Sequence, residues 1–217
     1  WCFISMFSWR EVIIFATTLS VSISGNPLIL DSIKEYDEIR CSLDIKWEEL
    51  LKVVNIVSVT LPINFNSKLI NDLEISGIIL TGGNDLSSQS DNKLSNLRDK
   101  NEYLCVEYAI KNSLPVFGVC RGMQFLAEYF GSTLNKIENH ISSRHNIKVL
   151  QETKYSSKLV NIENVNSYHN FSIDKLGDDL EALAICTDDN TIEAIEHRKY
   201  KIFGHMWHPE REEPFNK

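Results

Sequence analysis

Val116-Phe117-Gly118-Val119-Cys120-Arg121-Gly122-Met123-Gln124 passes from a strand-like apolar run into a segment of helical period, with glycines two residues before and two after a single cysteine. This is the layout of a nucleophile elbow. The chain must turn sharply between strand and helix, small neighbours are needed on both sides, and the side chain at the tip stands clear of the sheet. A cysteine placed there also meets the unpaired N–H groups and positive dipole end of the helix it begins, both of which favour thiolate over thiol. Burial as a small apolar residue is the commonest fate of a free cysteine. Cys2, Cys41, Cys105 and Cys186 are read that way, and Cys120 as a nucleophile with the Arg121 N–H as an oxyanion donor.

Working outward, apolar β-type runs alternate with longer segments of helical period. Ser42 to Val54 carries Leu43, Ile45, Trp47, Leu50, Leu51 and Val54 mostly at helical spacing, and Ile56 to Leu61 reads as a strand. Ile75 to Leu80 is a strand that stops at the turn-forming cluster Thr81-Gly82-Gly83-Asn84-Asp85. Asn96 to Asn112 is a helix, Pro115 to Val119 a strand, and Arg121 to Phe130 a helix. Beyond Gly131, His145 to Leu150, Leu180 to Cys186, Thr191 to Glu196 and Tyr200 to Trp207 read as shorter strands, while Ser87 to Ser95 and Glu152 to Lys158 read as surface loops. The pattern predicts an α/β fold: a three-layer sandwich with a mostly parallel central sheet and flavodoxin-like topology.

A length of 217 residues, 43% apolar, suits one substantial core. The formal charge of −8 argues against nucleic acid, whose binding rests on clustered Lys and Arg. Five cysteines without a Cys-x-x-Cys pair fit neither a disulfide framework nor a zinc ribbon, so a cytoplasmic protein with reduced thiols is expected. Residues 1–25 are set apart from the domain at 26–217. The chain opens on Trp1, and the stretch Val12 to Ile23 resembles either a weak secretory signal, spoiled by Glu11 beside Arg10, or a buried first strand. It is too short to span a bilayer, and no membrane partner is expected.

A thiol nucleophile needs an imidazole, and the imidazole needs an acceptor that fixes its tautomer. His208 follows the apolar run Ile202-Phe203-Gly204-His205-Met206-Trp207 and is followed by Pro209 and Glu210, so a proline-fixed turn can return the carboxylate to the ring. Cys120, His208 and Glu210 are therefore the expected triad. His205 and His208, three apart on an extended segment, face opposite ways and do not converge on an ion, so no metal and no cofactor are expected.

These motifs, with Trp207-His208-Pro209-Glu210, resemble the class I glutamine amidotransferases, and the order of Thr81 to Asp85, Arg98-Asp99 with Glu102, and Asn166-Ser167-Tyr168-His169-Asn170 is similar to their γ-glutamyl hydrolase branch. Within it, Glu35 to Trp47, the Asn166 to Asn170 run and Met206 to Glu212 are similar to the γ-glutamyl-CDP-amidate hydrolases of bacterial surface-polysaccharide pathways. The resemblance spans about Lys34 to Phe215. It implies that the Gly82-Gly83 backbone supplies the second oxyanion donor, and that Gln124, Tyr168, His169 and Asn170 hold the α-amino and α-carboxylate ends of a γ-glutamyl group. Before Lys34 the usual first strand fits poorly, and the family's closing helix does not follow Lys217. The implied chemistry is hydrolysis of a small γ-glutamyl conjugate through a thioester, in capsule biosynthesis. Alternatives are a glutaminase subunit serving a separate synthetase, a non-catalytic binding domain, and, last, a general cysteine peptidase, which would place histidine where this chain has Arg121.

Overall fold

The structure, a computed structural model, describes residues 12–16, 43–62, 65, 67–150, 153 and 155–215. The readings placed on Cys2, Cys41, the stretch 34–42 and most of residues 1–25 lie outside the described residues. In chain order the elements are β1 (Val12–Ala16), α1 (Ile45–Val53), β2 (Val57–Thr60), α2 (Ser67–Asp72), β3 (Gly77–Leu80), α3 (Lys93–Lys111), β4 (Val116–Val119) and α4 (Arg121–Tyr129). There follow β5 (Thr133–Lys136), β6 (Ile141–Val149), β7 (Asn164–Tyr168), β8 (Phe171–Lys175), β9 (Leu180–Cys186), β10 (Ile192–His197) and β11 (Ile202–His205).

Nine of these strands form one sheet in the order β2-β1-β3-β4-β11-β10-β9-β6-β7. The strands from β2 to β11 in that order run parallel, with β1 seated between β2 and β3. From β11 outward the sheet continues antiparallel through β10, β9, β6 and β7. The parallel half matches the expected alternation of strands and helices. The antiparallel half rests on short hairpin-like runs, and β7, like β5 and β8 outside this sheet, carries too many polar residues to stand out as a strand. β5 and β8 form a separate antiparallel pair.

Side chains alternate across a strand, and both sets are apolar here because both faces are covered. Ile79, Phe117, Val119 and Phe203 meet Trp47, Leu50 and Leu51 of α1 on one face. Ile78, Leu80, Val116 and Ile202 meet Cys105, Val106 and Ala109 of α3 and Phe125 and Leu126 of α4 on the other. This is the expected three-layer sandwich. Each fully buried Leu, Ile or Phe contributes about 1.5–3 kcal/mol relative to exposure. α1 begins where Asp44 accepts from the Lys46 N–H at 3.0 Å; of its apolar stripe only Ile45 stays exposed.

Two loop assignments change. The first ends at Asn92, whose side chain accepts from the Leu94 N–H at 2.9 Å and caps α3; Ser95 is then a buried helix residue that donates to the Asp85 carbonyl at 2.7 Å. In the second, Tyr155 and Ser156 are buried in a turn where Thr153 Oγ1 accepts from the Ser156 N–H at 3.0 Å. Polar composition signalled surface in both cases, yet these side chains bond to backbone groups inside the fold, Asn92 and Thr153 accepting from N–H groups and Ser95 donating to a carbonyl.

Candidate active site

The sheet ends in the turn the glycines predict. Cys120 has φ 52° and ψ −108°, an outlying conformation for a residue with a Cβ, costing about 1–3 kcal/mol. Its N–H donates to the His205 carbonyl at 2.8 Å and its carbonyl accepts the first α4 bond, from Gln124 N–H, at 3.0 Å. The strained residue is thus fixed from both sides. A Cβ on Gly122 would stand 2.1 Å from the Leu80 carbonyl oxygen, and one on Gly118 would stand 2.7 Å from the Gly122 backbone. Close approach of helix to strand, rather than a special φ, is what both positions demand.

His208 lies opposite Cys120. Its Nδ1 is 2.6 Å from Glu210 Oε1, and its ring interacts electrostatically with Cys120. A short 3-10 turn, Pro209–Arg211, brings the carboxylate back, as the proline suggested. Burial disfavours charge on His208, but Glu210 and then Cys120 outweigh it and its pKa is pushed up to about 10. For Cys120, burial pushes the thiol up; the charge and hydrogen bond of His208, the charge of His169 and the Arg121 N–H outweigh it, leaving the thiol below its usual range. The two shifts favour a thiolate beside an imidazolium.

Gly82 sits under the His208 ring: a Cβ there would be 2.5 Å from His208 Cε1. Gly83 has φ 143°, in the region that favours glycine. The loop carrying both is pinned by Arg98, whose Nη2 donates to the Thr81 carbonyl at 2.6 Å and Nη1 to Asn84 at 3.3 Å. Arg98 Nε donates to Glu102 at 2.8 Å, and Glu102 and Asp99 in turn accept from the Arg121 guanidinium. Burial, then the neighbouring Arg121 charge, lowers the Arg98 pKa to about 10. One buried network therefore joins the Gly82-Gly83 loop to the residue after the nucleophile. Sequence order placed Arg98, Asp99 and Glu102 in a motif without showing this purpose.

Gln124 is buried, and its Nε2 donates to the Phe171 carbonyl at 3.0 Å. Tyr168 stands edge-on to His208 with ring centroids 5.8 Å apart, and the Arg211 guanidinium lies 4.4 Å from its ring centre. His169 points inward, its Nδ1 donating to the Phe171 carbonyl at 3.1 Å. Asn170 is half-buried and its carbonyl accepts from Ile137 N–H at 2.8 Å. Asn166 was not among the expected site residues, although the motif contained it. It accepts from the His208 N–H at 2.9 Å and donates to the His208 carbonyl at 2.8 Å, clamping the histidine's backbone. His205 is a core histidine, stacked on Trp207 at 4.0 Å, and burial holds its pKa well below the usual value.

Residues 21–210 match the family model of peptidase C26. The chain belongs to this family. Its name, a peptidase, is that of a hydrolase of amide carbon–nitrogen bonds. A relative, the γ-glutamyl-CDP-amidate hydrolase of Campylobacter jejuni, is 45% identical over 142 residues, covering 65% of this chain and 66% of that one. The match spans just under two thirds of that relative's length. A glutamine-hydrolysing GMP synthase component from Methanococcus maripaludis is 27% identical over 66% of this chain and 68% of its own. In fold, the C26 chain resembles the crystal structure of a glutamine amidotransferase from Thermotoga maritima, with a TM-score of 0.66 at 16% identity over 94% of this chain and 77% of that one. The architecture is that of the class I glutamine amidotransferases. Among the described residues no helix is long and apolar enough to cross a membrane.

Proposed function

We propose that the chain is a cysteine-dependent hydrolase of γ-glutamyl amide bonds, acting on a small conjugate of the γ-glutamyl-CDP-amidate type in bacterial capsule or other surface-polysaccharide biosynthesis. The observation that carries this reading is the strained Cys120, paired with a His208 whose far nitrogen is 2.6 Å from Glu210. The Cys120 thiolate attacks the γ-carbonyl, and the tetrahedral oxyanion is met by N–H groups of Arg121 and of the Gly82-Gly83 loop. His208, charged in the resting pair, gives its proton to the leaving nitrogen as the C–N bond breaks. The γ-glutamyl thioester that remains is attacked by a water that loses its proton to His208, releasing glutamate and restoring the pair. Gln124, Tyr168, His169 and Asn170 border the place where the α-amino and α-carboxylate groups would lie.

The C. jejuni relative favours the CDP-amidate as leaving group. The GMP synthase component favours a second reading, in which glutamine is the substrate and ammonia passes to a separate synthetase. The test is glutamate release from glutamine, γ-glutamyl amines and γ-glutamyl-CDP-amidate by wild type and Cys120→Ala without added proteins. Turnover of one conjugate that vanishes in the variant is expected. Turnover of glutamine only when a synthetase is added supports the second reading, and silence on every substrate from folded protein refutes both.

A further inference from the structure

Behind the nucleophile lies a second buried cluster, of which the proposed hydrolysis uses only His169. His140, in the turn before β6, His145 on β6, His169 after β7, and Cys186 and Glu193 at the facing ends of β9 and β10 are all buried. The hydrogen bonds fix the tautomers of two of these rings. His169 Nδ1 faces the Phe171 carbonyl at 3.1 Å, an atom that only accepts, so Nδ1 carries the proton and Nε2 is the nitrogen that presents a lone pair in the neutral ring. His140 Nε2 faces Asp189 Oδ2 at 2.9 Å, a carboxyl group that burial pushes up but backbone and side-chain hydrogen bonds bring down to about 2. His140 Nδ1 therefore presents a lone pair as well. Ser167 Oγ is 3.3 Å from that Nδ1, but it gives its proton to the His140 carbonyl at 2.8 Å.

The two lone pairs meet. His140 Nδ1 and His169 Nε2 are 3.3 Å apart, and Glu193 Oε1 completes the triangle at 3.7 and 3.6 Å. Both Glu193 oxygens are buried without a hydrogen-bond partner, although His145 Nε2 comes within 3.4 Å of Oε1. Three acceptors converging in a closed space call for a cation among them. A point about 2.0 Å from all three atoms exists within a triangle of those edges, the bond length that zinc takes to imidazole and carboxylate. Each imidazole is also backed in the way metal-bound histidines usually are, His169 by a carbonyl and His140 by a carboxylate.

We propose that His140 Nδ1, His169 Nε2 and Glu193 Oε1 form a binding site for a divalent first-row transition ion, with zinc the best match to two imidazoles and one carboxylate. His145 and Cys186 flank it; His140, His145 and Cys186 themselves have donor atoms within 4.8 Å of one another. The ion is structural. It ties the turn before β6, the end of β7 and β10 together behind His169, and so steadies the Phe171 carbonyl on which Gln124 also rests. The site stands whether or not the proposed hydrolase activity does.

The test is a titration of chelator-dialysed full-length protein with cobalt(II), read by visible absorption and bound metal, in wild type, Cys120→Ala, Glu193→Gln and His140→Asn. One equivalent with a tetrahedral-type spectrum is expected in wild type and equally in Cys120→Ala, with affinity down at least a hundredfold in the other two. Asp189→Ala, on an exposed residue, is expected to weaken binding by about tenfold to a hundredfold and serves if the buried variants do not fold. Absence of binding to wild type at millimolar cobalt would mean that a proton, not a metal, fills the cluster, and overturns the proposal. So would binding that survives Glu193→Gln, or that disappears in Cys120→Ala.

Discussion

Gly82→Ala isolates the geometry of the Cys120–His208 pair with a single methyl group. Gly82 is not among the positive-φ residues, so alanine fits the backbone and the effect lies in the side chain alone. The new Cβ would stand 2.5 Å from His208 Cε1, where ordinary contact begins at 3.4 Å, so the ring must withdraw by about 1 Å. It has little room to do so. Glu210 holds Nδ1 at 2.6 Å, and Asn166 holds the backbone N–H and carbonyl at 2.9 and 2.8 Å. A misplacement of about 1 Å between reacting groups costs on the order of 10²-fold in rate, or about 2.7 kcal/mol of barrier. Two assays read it: kcat for glutamate release, and the pH profile of iodoacetamide alkylation of Cys120, which needs no substrate. Both should suffer together, the alkylation midpoint moving up as the imidazolium retreats. Gly131→Ala is the control, since Gly131 has φ +85° with open space around it: it should cost about 1–2 kcal/mol in stability and nothing in kcat. A folded Gly82→Ala protein with wild-type kcat and alkylation profile would refute the view that Gly82 sets the position of His208.

Gly122→Ala should be worse for folding than for chemistry alone, because its Cβ meets the Leu80 carbonyl at 2.1 Å and backbone cannot rotate away; a loss of about 1–3 kcal/mol or more in chemical denaturation is expected. Glu102→Gln leaves Arg98 and Arg121 buried with one carboxylate fewer, so a loss of about 3–5 kcal/mol is expected by the same measurement, with little effect as the outcome that counts against the network. In wild type the thiolate is lost as pH falls through the lowered Cys120 pKa, and the imidazolium is lost as pH rises through about 10. Alkylation should therefore extend to lower pH than for an ordinary cysteine thiol. Glu210→Gln removes the largest influence that raises the His208 pKa, so the ion pair should survive over a narrower range and the alkylation rate at neutral pH should drop; an unchanged profile would separate Glu210 from the pair.

What could be read without coordinates was what local steric and chemical demands write into neighbouring residues. Gly118 and Gly122 flank Cys120 because helix and strand touch there, and Pro209 turns Glu210 back to His208 within three residues. The parallel strands are legible for the same reason: covered on both faces, β3, β4 and β11 are continuous apolar runs. β5, β7 and β8 are not, since Asn164, Asn166, Ser167 and Ser172 take partners from distant segments, and a polar strand looks like a loop until those partners are known. The same limit hid the Asn166 clamp on His208, 42 residues away, and the buried links from Arg98 to Thr81 and from Arg121 to Glu102. It hid the histidine cluster most completely. His140, His169 and Glu193 follow no spacing rule, because they come from three strands' ends, and only the antiparallel half of the sheet brings their lone pairs to one point.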